Sequence, residues 1–285
     1  MTTSAGRVRD AVAGGSWALA TAGVPSPTRD ARRLLAFAAG STSTALGPAD
    51  PVAPGIGRRY RMLVAARARR VPLPLLEGET GFLDFDVTVR PGVFIPRPET
   101  EELAERAIAV LGSLSRNLMV LDLGTGTGVL AVAVARARPE ARVVAVDVSP
   151  RALACARRNV RVHGVEDRVE VRRSHWFSCV PECFHLIVAN PPYVARPDLS
   201  GLEPEVRRYE PRRALDGGPD GLSAIRQVLA QAPGHLFPGG MVLVEIGDGQ
   251  GEAILRFARG IPSLVETRVE EDLRNKERFF IGRCG

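Results

Sequence analysis

The sequence predicts an α/β protein: a mostly parallel, seven-stranded sheet with helices on both faces and an antiparallel last strand, behind a small helical domain. Three observations predict it. From residue 118 onward, short apolar runs that read as strands alternate with helical stretches, as in a doubly wound sheet. The first of these runs leads straight into a glycine turn, Gly124-Thr125-Gly126-Thr127-Gly128. The fourth stops at Asn190-Pro191-Pro192-Tyr193, where two prolines cannot continue a central strand. The carboxyl ends of the strands in such a sheet are where ligands bind.

Composition bounds the possibilities. A chain of 285 residues, 45% hydrophobic and 25% charged, matches a soluble globular protein of one large or two ordinary domains. No apolar run approaches a membrane span, and Arg7, Arg9 and Asp10 precede no apolar segment of the secretory kind, so the expectation is a cytoplasmic protein. Cys155, Cys179, Cys183 and Cys284 read as free thiols. Cys179, Cys183 and His185 match no zinc spacing, and no metal is expected. Lys276 is the only lysine, which excludes a P-loop lysine and makes Schiff-base chemistry improbable. The net charge of +6 is spread along the chain; it permits an RNA-associated partner without indicating one.

Residues 1–75 read as a helical bundle. Val8, Val12 and Trp17 begin one apolar face, and Ala31, Leu34, Leu35 and Ala38 form another. Pro25 and Pro27 separate these helices, with Thr28 as the expected N-cap. A third helix is expected over residues 58–70, with Arg67, Arg69 and Arg70 on a solvated face. Residues 76–98 read as a β-hairpin linker: residues 81–89 alternate apolar and polar, Pro91-Gly92 turns, and residues 93–95 form the return strand. A helix then starts at Glu99 or Thr100, with acidic residues in its first turn.

Residues 99–285 carry the sheet. The glycine turn lets backbone approach a ligand closely, although its G-x-G-x-G spacing differs from that of dinucleotide binders. Strand two ends in Asp147, where a carboxylate can accept both hydroxyls of a ribose. Ser149-Pro150 supplies the cap of the following helix. Trp176, at the exit of strand three, is placed to cover a flat base, with core burial as the competing reading. At the end of strand four, the Asn190 side-chain oxygen and the Pro191 carbonyl form two fixed acceptors suited to an –NH2 group, with Tyr193 as a flat wall. A long loop over residues 194–221 follows, with tight turns at Asp216-Gly217-Gly218 and Asp220-Gly221. Strand five begins after a Pro238-Gly239-Gly240 turn, and residues 264–270 and 278–282 close the sheet as an antiparallel hairpin. A nucleoside-bearing cofactor beside an amino-group clamp suggests group transfer to nitrogen, most simply methyl transfer from S-adenosylmethionine.

The chain resembles the N5-glutamine methyltransferases that modify bacterial peptide chain release factors, the HemK/PrmC family. The resemblance rests on Phe94-Ile95-Pro96-Arg97-Pro98-Glu99-Thr100-Glu101, Leu121-Asp122-Leu123 with the glycine turn, and Asn190-Pro191-Pro192-Tyr193. Glu210-Pro211, Ala214-Leu215-Asp216-Gly217-Gly218, Asp220-Gly221-Leu222 and Asp272-Leu273 with Arg278 extend it. It covers residues 76–285 well and the helical bundle loosely.

The resemblance implies a Rossmann-like, S-adenosylmethionine-dependent methyltransferase domain and a helical domain for substrate recognition. It further implies that the substrate is the glutamine of a Gly-Gly-Gln loop, held by Asn190 and the Pro191 carbonyl and packed by Pro192 and Tyr193. Gly124, Thr125, Gly126, Thr127 and Gly128 would wrap the cofactor's methionine portion, Asp147 its ribose and Trp176 its adenine, with Asn190 also among the cofactor-binding residues. His175 stands where many relatives carry an acidic residue, Arg70 to Glu79 departs from the usual entry, and Arg274-Asn275 replaces a glycine. A monomer without stable nucleic-acid or membrane binding is expected. The alternatives are an N-methyltransferase acting on a small molecule or on adenine in nucleic acid, and a silent binding module.

Overall fold

The computed structural model describes residues 6–42, 45–112 and 117–285. They form two units, one of residues up to Gly78 with Pro204–Tyr209, the other of Glu79–Glu203 and Glu210–Gly285.

The first unit contains α1 (Val8–Thr21), α2 (Pro27–Ala39), α3 (Pro54–Ala68) and α4 (Leu73–Glu77). Its core is built from Leu19, Leu34, Leu35 and Tyr60. Gly15 makes room for the Tyr60 ring, since a Cβ there would stand 1.9 Å from the hydroxyl, which donates to the Ala11 carbonyl at 3.1 Å. Three expectations need correction. Trp17 is 74% exposed and takes no part in the core. Thr28 lies inside α2, because Ser26 occupies the cap position and Pro27 opens the helix. Arg67 is buried rather than solvated: its guanidinium donates to Asp30 at 2.9 Å and to Glu205 at 2.7 Å. Those carboxylates lie far away in sequence, so the arginine run alone gave no sign of them.

The second unit opens with β1 (Glu79–Phe82) and β2 (Phe85–Thr88), an antiparallel hairpin turning at Leu83-Asp84. The run expected to be one strand, residues 81–89, therefore holds the end of β1, the turn and all of β2, and residues 93–95, expected as the return strand, are not a strand. Leu83 adopts φ +51 without being glycine, and no Gly or Pro marks the turn. There follow α5 (Pro98–Gly112), β3 (Leu118–Leu123), α6 (Val129–Ala137), β4 (Ala141–Asp147), α7 (Pro150–Val162), β5 (Val169–Arg173) and β6 (Phe184–Ala189). The long loop contains α8 (Pro204–Tyr209), the segment belonging to the helical unit, between two short 3-10 turns. Then come α9 (Ser223–Gln231), β7 (Leu236–Glu245), α10 (Gly251–Ala258), β8 (Leu264–Glu271) and β9 (Glu277–Cys284).

The seven-stranded sheet has the order β5-β4-β3-β6-β7-β9-β8. β5 to β7 are mutually parallel, and β9 runs antiparallel to both β7 and β8. Leu103, Leu130 and Val160, from α5, α6 and α7, cover one face. Ile225, Leu229 and Ile254, from α9 and α10, cover the other. The Pro238-Gly239-Gly240 turn survives as a bulge within β7, where the pairing with β6 jumps between Phe184–Leu236 and Leu186–Met241. Among the described residues, no helix is long and apolar enough to cross a membrane.

Candidate active site

Register brings the candidate residues to one edge. Leu123 pairs with Val146 on β4 and with Ala189 on β6, and Ala189 pairs with Val244 on β7. The next residue on each of the four strands is Asp147, Gly124, Asn190 and Glu245, a row across the carboxyl end of the sheet. The chain leaves β3 toward β4 on one side and returns through β6 on the other, so this row spans the switch point of the sheet.

The glycine turn is held from below and from the side. Gly124 and Thr125 donate to the Val146 carbonyl at 2.8 and 2.9 Å, and Gly126 N–H donates to Asp147 Oδ2 at 3.0 Å. Gly124, Gly126 and Gly128 all have positive φ, which L side chains rarely adopt. They differ in what surrounds them. A Cβ on Gly124 or Gly126 would meet nothing nearer than 3.7 Å, leaving a groove bordered by the half-buried Trp176 ring. A Cβ on Gly128 would stand 3.1 Å from Ala156 Cα, so that glycine serves the packing of α7. The two threonines face inward. The Thr125 hydroxyl donates to Asp122 Oδ2 at 2.5 Å, and the Thr127 carbonyl accepts from Asn159 at 2.8 Å. Asp122 is 1% exposed, and burial pushes its carboxyl up to about 7 against the hydrogen bonds from Thr125 and Ala131.

Asp147 accepts from Ser149 N–H through Oδ1 at 2.8 Å and from Gly126 through Oδ2. Burial raises its pKa while these N–H groups oppose the shift. Each oxygen keeps a lone pair for a further donor. An open glycine groove, a carboxylate beside it and an indole along its rim fit an adenosine-bearing cofactor. Trp176 itself sits at φ +50, its carbonyl held by the Ser174 hydroxyl at 2.7 Å, which fixes the ring against the turn.

On the other side, Asn190 Nδ2 donates to Thr100 Oγ1 at 2.9 Å. Thr100 donates in turn to Glu245 Oε2 at 2.9 Å, and Tyr193 OH points to Glu245 Oε1 at 3.3 Å. Glu245 is fully buried, and burial pushes its carboxyl up to about 7, partly offset by Thr100, Arg278 and Tyr193. Among the described residues, neither Asn190 Oδ1 nor the Pro191 carbonyl is engaged by a hydrogen-bond donor. The Pro-Pro-Tyr backbone is clasped by the following loop. Val194 N–H donates to Leu215 O and Gly217 N–H to Val194 O, at 3.0 and 2.9 Å, while Gln250 Nε2 donates to the Tyr193 carbonyl at 2.9 Å. Gly217 and Gly221 are required here, since a Cβ would stand 2.8 Å from Pro192 O and 2.4 Å from Tyr193 O respectively.

Asn190, Tyr193, Asp147, Trp176 and the glycine turn thus gather at one sheet edge, as expected. Thr100, Glu245 and Gln250 were not foreseen. Glu245 did leave a trace: a carboxylate inside the apolar run from Met241 to Ile246 is costly unless hydrogen-bonded.

Comparison with known proteins identifies the family. A family described as "PrmC N-terminal domain" matches residues 10–78, and one described as "Methyltransferase small domain" matches residues 85–201. A protein of Cereibacter sphaeroides named "Release factor glutamine methyltransferase" is 42% identical over 284 residues, covering 97% of this chain and 98% of its own. One of the same name from Rhodospirillum rubrum is 38% identical over 271 residues, covering 94% and 82%. The solved structure of a release factor-specific protein-(glutamine-N5) methyltransferase from Alicyclobacillus acidocaldarius is 29% identical, covering 69% of this chain and 98% of that one, with a TM-score of 0.43. Near-complete alignment with the Cereibacter and Rhodospirillum relatives, through both the helical unit and the sheet, establishes that this chain belongs to the release factor glutamine methyltransferase family.

Proposed function

We propose that this protein transfers a methyl group from S-adenosylmethionine to the side-chain amide nitrogen of the glutamine in the Gly-Gly-Gln loop of a peptide chain release factor. Family membership supports the reaction. The observation that carries it to this site is the pair of unengaged acceptors, Asn190 Oδ1 and the Pro191 carbonyl, at the carboxyl end of β6 beside the glycine groove.

In this reading, Gly124 and Gly126 admit the methionine portion of the cofactor, Asp147 accepts from the ribose hydroxyls and Trp176 lies along the adenine. Thr125, Thr127 and Gly128 act beneath, as supports of the turn. When bound, the cofactor supplies an electrophilic methyl group on a sulfonium centre. Asn190 Oδ1 and the Pro191 carbonyl accept the two amide hydrogens, turning the nitrogen toward that methyl and raising electron density on it. Pro192 and Tyr193 pack on the amide plane. These residues hold the nitrogen lone pair toward the methyl group that the cofactor would supply; the N–C bond would form as the C–S bond gives way, its electrons staying on sulfur, and the displaced amide proton would leave to water. The helical unit recognises the release factor. The test is mass spectrometry of a release factor after incubation with the protein and S-adenosylmethionine. One added methyl on that glutamine is expected; none, with cofactor binding intact, refutes the substrate.

A further inference from the structure

The clamp leaves a question that its own residues do not answer. A primary amide can present either its oxygen or its –NH2 group to a substrate, and the two differ by a half-turn of one torsion. Only the orientation with Oδ1 toward the cleft gives Asn190 an acceptor for an incoming –NH2. With Nδ2 there instead, donor would face donor.

We infer that Glu245, acting through the hydroxyl of Thr100, is the positioning residue that fixes the Asn190 amide with its oxygen toward the substrate. The role depends on the glutamine clamp proposed above; the orientation itself does not. The argument is a count of protons. An ionised Glu245 has only acceptors. Its two oxygens lie 2.9 Å from Thr100 Oγ1 and 3.3 Å from Tyr193 OH, so both hydroxyls must donate to it. A hydroxyl has one proton. Once Thr100 gives its proton to Glu245, its oxygen can only accept from Asn190, so the Asn190 atom at 2.9 Å must be Nδ2. Oδ1 is thereby turned to the cleft. Thr100 is 3% exposed and Glu245 fully buried, so water does not compete for these bonds.

Protonation of Glu245 reverses the logic. A neutral carboxyl can donate to Thr100, freeing the threonine proton for Asn190 Oδ1 and turning Nδ2 outward. The groups around the carboxyl are Tyr193 from the loop after β6, Thr100 and Glu99 from α5, and Arg278 from β9. Arg278 is itself held by Asp272 at 3.3 Å and by the Ile246 carbonyl at 3.0 Å. Burial outweighs these partners and brings the carboxyl to about 7, so both states are reached near neutral pH.

The orientation can be read without any substrate. The chain has four asparagines, so 15N-asparagine labelling gives a sparse spectrum in which loss of one –NH2 pair in Asn190→Ala assigns residue 190. In the wild type that pair should shift with an inflection near pH 7, and in Glu245→Gln the inflection should vanish. In the methylation assay, Thr100→Val should lower kcat about tenfold or more with cofactor affinity, by calorimetry, within about twofold. Thr100→Ser should restore most of the loss. Glu245→Gln should flatten the acid limb of the kcat profile. An Asn190 signal insensitive to both Glu245→Gln and pH overturns the proposal whether or not a release factor is methylated. So does a Thr100→Val enzyme with unchanged kcat and pH profile. Full activity of Asn190→Ala, by contrast, removes the clamp itself and leaves the relay as a purely structural hydrogen-bond chain.

Discussion

The backbone N–H of Gly126 lies 3.0 Å from Asp147 Oδ2, so the carboxylate at the tip of β4 ties down the glycine turn beside which it stands. One side chain thus shapes the groove and offers lone pairs to what enters it. Asp147→Ala is expected to weaken cofactor affinity about ten- to a hundredfold, since hydrogen bonds to a charged acceptor contribute roughly 1.5–3 kcal/mol. Calorimetric titration with S-adenosylmethionine checks this, and an unchanged Kd would remove Asp147 from the ribose.

Asn190→Ala should abolish methyl transfer while leaving cofactor affinity within about threefold, because Asn190 directly follows β6 and bonds Thr100 at 2.9 Å, whereas Asp147 ends β4 on the other side of β3. Single-turnover kinetics with saturating cofactor separates the two effects. Retained turnover would mean that the substrate amide is held elsewhere.

Gly217→Ala places a methyl group 2.5 Å from Gly221 O and 2.8 Å from Pro192 O, both backbone atoms with little freedom to yield. The segment presenting the Pro-Pro-Tyr backbone should shift. Expected are a loss of kcat of about tenfold or more and a stability cost of about 1–3 kcal/mol, as for overpacking. Denaturant unfolding and steady-state rates on the same preparation check both.

In the helical unit, Arg67→Met strips Asp30 of a buried partner at 2.9 Å. Stranding a buried charge costs about 3–5 kcal/mol. Hydrogen exchange over residues 8–77 should rise sharply. Glu205 adds a pH dependence. Burial opposes its ionisation, yet Arg70 and Arg67 together hold its pKa below the usual 4.5. A depressed folded value means that its contribution is complete at neutral pH and is lost as pH falls from about 4.5 through that lower value. Glu205→Gln should lower stability at pH 7, with the difference from wild type shrinking on acidification.

What was legible in the sequence is what local pattern encodes. The apolar runs from Leu118 to Leu123 and from Leu186 to Ala189 declared their strands, and glycine or proline declared their ends. The parallel order then placed Asn190 and the glycine turn together. What failed was either unmarked locally or settled by distant partners. Leu83 turns a hairpin without glycine or proline. Arg67 looked like a surface charge because Asp30 and Glu205 lie 37 and 138 residues away. Thr100 read as an ordinary first-turn residue of a helix; its partner Glu245 is 145 residues downstream. The buried carboxylates of the site are long-range pairs, and periodicity carries no information about such pairs.

β9 is the last strand in the chain order, yet it lies in the interior of the sheet between β7 and β8, with Phe279 and Phe280 fully buried. During synthesis, β7 must therefore wait with an open edge of unpaired amides until residues 277–284 have emerged. Arg278, which lies near Glu245, arrives with that same strand. A polypeptide cut before residue 277 would bear every motif of the catalytic edge yet lack the strand that pairs with both β7 and β8.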